Sequence, residues 1–170
     1  MLFFVRFLLA FVLTLAVAVA LIYIFKPSFA MMSSPTAEKA VLVSIYKQQD
    51  NAAVNRTASE SFANVASYCL FFDSHNNPMP VPAMQQKLTT LYAGMRHVKA
   101  TSNLESVKFD GNVASVLAQT KVDWTTKGGR SMEVRILTRD KWEKLVGHWT
   151  CEEVRTEDTN NSHIGFVVPH

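Results

Sequence analysis

Nineteen consecutive positions near the start of the chain, residues 7–25, are apolar apart from Thr14. Coiled as a helix at about 1.5 Å per residue, they reach about 28 Å, close to the thickness of a bilayer hydrocarbon core. A helix satisfies its backbone groups internally, so such a segment can cross lipid. Arg6 precedes it and Lys26-Pro27 follows, where the proline helps to end the helix. The pattern predicts a short stub over residues 1–6, a transmembrane helix over 7–25 and a linker over 26–34. Arg6 and the amino terminus set against Lys26 favour a cytoplasmic stub. The expectation is therefore a single-pass protein of an inner or plasma membrane, with the remaining chain outside the cytoplasm. The alternative is secretion after signal cleavage near Ala30, because Ser28-Phe29-Ala30 resembles a cleavage site. Signal h-regions usually run to about 7–15 residues, shorter than this stretch.

Beyond residue 34 the apolar spacing changes to three and four. Ser34-Pro35 starts a helix, with serine as cap and proline at the first helical position. Glu38 favours its positive end. Val41, Leu42, Ile45, Tyr46, Gln49, Ala52 and Ala53 form its inward stripe, to about Asn55. Thr57-x-x-Glu60 has the form of a capping box and opens a short second helix, with Phe62, Val65 and Ala66 inside. Residues 68–72 form an aromatic-rich strand. Residues 73–82, with Asn76-Asn77-Pro78, Pro80 and Pro82, read as a loop. A third helix follows over residues 82–93, its stripe of Met84, Leu88, Leu91, Tyr92 and Met95 repeating every three or four residues, with Gly94 as its left-handed end residue.

The spacing then changes to two. Val98, Ala100, Ser102 and Leu104 alternate, and the phase moves by one to Val107 and Phe109. A slip of one inside a strand predicts a bulge near Ser106. Asp110-Gly111, residues 127–130 and Val146-Gly147 are turns, separating strands over 113–125, 132–145 and 148–155. Helices first and hairpin-linked strands last make an α+β domain. Its three early helices have only the later antiparallel sheet to cover their stripes, which requires a strongly bent, cone-shaped sheet. Residues 35–156 form this domain and 157–170 a tail.

Composition changes the picture little. Of 170 residues, 17 are Lys or Arg and 14 Asp or Glu; without Arg6 and Lys26 the balance is 15 to 14. A near-neutral domain lacks the basic face that nucleic acid requires. Cys69 and Cys151 have no metal-ligand spacing, and no metal or other cofactor is expected. They read as two buried apolar residues or, in an oxidising compartment, as one disulfide. No phosphate-binding glycine loop, HExxH or G-x-S-x-G occurs.

The order of elements, Tyr46 in the first stripe, residues 68–73, residues 104–114 and the Trp142–Trp149 hairpin together resemble the SnoaL-like branch of the nuclear-transport-factor-2-like superfamily. Residues 142–149 resemble its W-x-K-x-x-G-x-W hairpin, and the likeness covers about residues 35–156. The resemblance implies a cone with an apolar pocket, often dimeric through its sheet. It leaves activity open, because the fold hosts isomerases, dehydratases, binding domains and assembly scaffolds. A single membrane helix before such a domain also resembles, in architecture alone, assembly factors of bacterial type IV secretion machines.

Strand parity places Ala114, Val116, Ala118, Thr120, Val122 and Trp124 on the inward face, with Met132, Val134, Ile136, Thr138, Asp140 and Trp142 beside them. The candidate pocket residues are Tyr46, Asp73, His97, Trp124, Asp140, Trp142 and Glu153, with Asp50 a further polar candidate. Each also has a plainer explanation: Asp50 and Asp73 as turn or helix-end caps, His97 as a strand-start residue, the tryptophans as packing. No catalytic set is assigned. The expected function is a membrane-held binding or assembly domain, a homodimer or the partner of a membrane complex, able to hold a small apolar ligand. The alternative is a membrane-tethered isomerase or dehydratase of a small apolar molecule.

Overall fold

The computed structural model describes residues 34–157. The expected membrane helix, the linker up to residue 33 and the tail from residue 158 lie outside the described residues. Among those described, no helix is long and apolar enough to cross a membrane.

Among the described residues, three helices and six strands follow one another: α1 (Pro35–Asn55), α2 (Ala58–Ser61), β1 (Val65–Phe72), β2 (Pro78–Pro80), α3 (Val81–Gly94), β3 (Met95–Asp110), β4 (Val113–Thr126), β5 (Ser131–Leu145) and β6 (His148–Glu157). The strands form a single sheet in the order β2-β1-β6-β5-β4-β3. It is antiparallel except where β1 runs parallel to β6. The architecture is therefore α+β with a mostly antiparallel sheet, not a wholly antiparallel one.

The core lies between α1 and one face of the sheet. Leu42, Ile45 and Tyr46 of α1 pack with Ala114, Val116 and Ala118 of β4, Trp142 of β5, and Trp149 and Cys151 of β6. Val41 faces solvent, so the buried stripe is narrower than expected. A second cluster joins Ala58, Tyr92, Met95 and Val98, with Trp124 at its margin.

Several local expectations are corrected. The second helix ends at Ser61, and Val65 and Ala66 already belong to β1. The Thr57 side chain makes no cap bond; its carbonyl accepts from Glu60 and Ser61 instead. Part of the proline-rich loop is an edge strand, with Met79 opposite Phe71. Pro78 and Pro80 lack an N–H, which suits a position at the sheet margin. Gly94 is not left-handed: Met95 follows at φ −92° and opens β3. The β3 register slips between Leu104 and Ser106, the position at which the apolar phase moves. A second slip, between Lys141 and Trp142, leaves Glu152 as the extra residue of β6.

Candidate functional site

Helix α1 crosses the sheet with three polar side chains on its inner side, at positions 38, 46 and 50. Spacings of eight and four keep them on one helical face. Each meets a different part of the sheet.

At the start of α1, Glu38 is buried and accepts from Trp149 Nε1 at 2.6 Å and from Lys144 Nζ. Burial alone would raise its pKa, but the two donors outweigh burial and hold it below the ordinary carboxylate range. Near the end of α1, Asp50 accepts from Ser102 N at 2.9 Å and Ser102 Oγ at 2.7 Å. Ser102 Oγ also meets Thr120 Oγ1 at 3.0 Å. These two tethers set the helix on β3, β5 and β6.

Between them lies the candidate site. The Tyr46 hydroxyl donates to Asp140 Oδ2 and accepts from Trp142 Nε1 at 3.3 Å. The Tyr46 and Trp142 rings are tilted at 54°, with centroids 5.7 Å apart. Strand parity brings Asp140 and Trp142 to the same face, two residues apart, opposite Val116 and Ala114. Asp140 is 5% exposed, and its Oδ1 is buried without a protein hydrogen-bond partner of good geometry. Burial pushes its pKa up from 3.8 to about 6, against the pull of the Tyr46 and Thr138 hydroxyls. The same burial, together with the Asp140 charge, raises the Tyr46 pKa, so its phenol stays protonated.

Cys69 and Cys151 close one side of this centre as free, buried thiols. The neighbouring Cys69 thiol, together with burial, pushes the Cys151 pKa well above its usual value. A thiol of that kind is a poor nucleophile.

Of the candidate pocket residues, the structure thus brings Tyr46, Asp140 and Trp142 together. The others lie elsewhere. Asp73 is an exposed turn residue accepting from His75 N (2.9 Å), Asn77 N (2.8 Å) and Asn77 Nδ2 (3.0 Å). The bonds from Asn77 hold its carboxyl below the ordinary range. His97 is exposed at φ 48°, within the irregular start of β3. Trp124 borders the second cluster. Glu153 bonds Arg155 Nε at 2.6 Å, and its position opposite Lys141 puts it on the outer face. Asp50 is a helix-to-strand tether rather than a cap. Glu38, expected as a helix-end charge, is instead a buried acceptor for Lys144 and Trp149. The signal for its burial is present, since 38, 42, 45, 46 and 49 share the stripe.

The Tyr46–Asp140 pair can work in two ways. Ionised, Asp140 can accept a hydrogen bond or proton at Oδ1; protonated there, it can donate one. Among the described residues, no group of three or more His, Cys, Asp or Glu side chains could hold a metal ion.

No family model and no curated protein matches the chain. Solved structures do. A conserved protein from Planctomyces limnophilus superposes with a TM-score of 0.65 at 10% identity, covering 71% of this chain and 94% of its own. A candidate scytalone dehydratase from Novosphingobium aromaticivorans gives 0.65 at 13%, covering 73% and 85%. A Nostoc punctiforme domain with a cystatin-like fold gives 0.60 at 12%, covering 74% and 80%. At these identities the likeness concerns fold. The chain's structural neighbours are SnoaL-like, nuclear-transport-factor-2-like proteins, and it shares their α+β fold.

Proposed function

We propose that this is a binding domain for a small, mostly apolar molecule that sits on the inner face of a cone-shaped sheet with one polar group on Asp140 Oδ1. Residues 7–25 hold the domain at a membrane, and two copies pair through the outer face of the sheet. The observation that carries the ligand reading is the buried Asp140 carboxylate, opposite Val116 and bonded to Tyr46, whose Oδ1 makes no well-formed hydrogen bond even with the Thr138 hydroxyl beside it. Packing alone gives no reason for it, since apolar residues at buried ionic positions are often neutral or stabilising. Perturbed buried carboxylates gather at functional sites. Native mass spectrometry of the full-length chain, released from detergent, tests the reading. A small molecule retained by the wild type and lost from Asp140→Leu supports it; a bare protein mass for both refutes it.

A second reading, isomerase or dehydratase, is favoured by a different observation. Tyr46 and Asp140 are two ionisable side chains in direct hydrogen bond, and a carboxyl with a pKa of about 6 can give or take a proton near neutrality. Here Asp140 would move the proton while Tyr46 keeps it oriented. Incubating the retained molecule with protein in deuterated water separates the readings. Conversion or deuterium uptake with the wild type but not with Asp140→Asn makes the site catalytic; an unchanged molecule leaves binding alone.

A further inference from the structure

Cys69 and Cys151 stand 82 positions apart in sequence, yet both belong to one buried cluster on adjacent strands. Their relative exposures are 0% and 1%. From these placements we infer that Cys69 and Cys151 are a redox-active pair, closed to a disulfide by exchange with a small disulfide molecule. The pair lies outside the Tyr46–Asp140 hydrogen bond, and the inference does not depend on any ligand there.

Three features carry it. First, both thiols lie in one buried cluster, close enough for Cys69 to shift the titration of Cys151. Among the described residues their hydrogen bonds are long ones to backbone, Cys69 Sγ to Leu70 O at 3.9 Å and Cys151 Sγ to Glu153 O at 3.6 Å. Second, both cysteines sit at irregular points of the ladder. The β1–β6 register slips between Val65 and Leu70, beside Cys69, and the β5–β6 register slips beside Cys151. A slipped register lets a side chain re-aim without breaking a regular ladder. Third, β1 has a route to open. Its outer neighbour is β2, which offers three residues, and two of them are prolines. Strands held by so few ladder bonds open locally before the core does.

The exchange balances as follows. Opening of β1 exposes Cys69, whose thiolate attacks the small disulfide and expels one thiolate, leaving a mixed disulfide. The same opening exposes Cys151 on the neighbouring strand. The Cys151 sulfur loses its proton to solvent, displaces the second thiolate and forms the Cys69–Cys151 bond. The two protein sulfurs together lose two electrons, and the small disulfide gains two. The product ties β1 to β6 along the sheet's parallel pairing.

The test uses the full-length chain in detergent, unfolded in urea and refolded in a buffer of reduced and oxidised glutathione. The expected product is about 2 Da lighter than the reduced chain and has no alkylatable thiol after denaturation. Its melting temperature is expected to lie about 5–10 °C above that of the reduced form. Under the same treatment Cys69→Ser and Cys69→Ala, each with one thiol left, take up one glutathione or none and show no such rise. A refolded wild-type chain with two alkylatable thiols, or with glutathione on both, overturns the inference. The wild-type mass decides this even if both variants fail to fold.

Discussion

Asp140 titrates in the folded chain at about 6 rather than 3.8 because burial disfavours its charge. The folded state therefore holds this proton more tightly than the unfolded state between those values. Stability from this group is greatest below about pH 4 and falls as pH rises to about 6, by on the order of 3 kcal/mol. Glu38 works in the opposite sense: its lowered pKa contributes stability that is lost as pH falls. Urea midpoints of wild type and Asp140→Asn, compared from pH 4 to 7, isolate the Asp140 contribution. The variant is expected to gain relative to wild type as pH rises, and parallel profiles would refute this. Tyr46→Phe removes the donor to Oδ2 and is expected to cost about 1–3 kcal/mol, with the wild-type fall moved to higher pH. Asp140, Trp142 and Tyr46 could be placed from parity and stripe, because local period decides which face a side chain takes. Glu153 could not: the extra Glu152 reverses parity beyond Cys151, and nothing in residues 148–155 marks that slip. Glu38 escaped for a different reason, since its local role at a helix start and its long-range role under Lys144 and Trp149 both suit a glutamate.

At the scale of elements, a turn and a tether make separate predictions. Val146 sits at φ 49° and is 99% exposed, followed by Gly147 at φ 85°. The turn requires two left-handed residues, and a β-branched side chain suits that region poorly. Val146→Asn is expected to stabilise by about 1 kcal/mol, read as a rise in melting temperature. Asp50 offers the converse case. Its carboxylate receives both donors of Ser102 across 52 positions, so Asp50→Ala is expected to cost about 1–3 kcal/mol and to speed hydrogen exchange at the Ser102 amide. Both elements show what patterns can reveal. The slip at Leu104–Ser106 was legible because an apolar phase change can be seen within one strand. The parallel β1–β6 pairing was not, because the burial of β1 does not alternate and the choice of a distant neighbour leaves no local trace. Strand β2 was hidden by its prolines, which mark a loop unless the pairing edge is known.

Over the whole molecule, the outer face of the sheet decides how two copies could meet. Lys121 on β4 lies 3.3 Å from Asp123 and 3.1 Å from Glu133, and Arg135 lies 2.8 Å from Glu133. Arg139 pairs with Glu157 at 2.7 Å and Lys141 with Glu152 at 2.9 Å. Partly exposed pairs like these contribute little to folding, typically about 0–1 kcal/mol each. Their weight is greater at an interface. A second copy on this face would strip water from charges of both signs, so it must meet them with opposite charges and not with apolar surface. Such a contact weakens as salt screens it. The proposed dimer is therefore expected to dissociate as sodium chloride rises from about 0.05 to about 0.5 M, where the Debye length shrinks several-fold. Glu133→Lys, which places like charges beside Lys121 and Arg135, is expected to abolish it while changing folding stability by no more than about 1 kcal/mol. Sedimentation equilibrium of the detergent-solubilised chain reads both. A dimer unmoved by salt and by the substitution would place the contact on another surface, and a monomer throughout would remove the pairing from the proposal. The ligand test is untouched by either outcome, because Asp140 points to the opposite face of the sheet, where Tyr46 of α1 meets it.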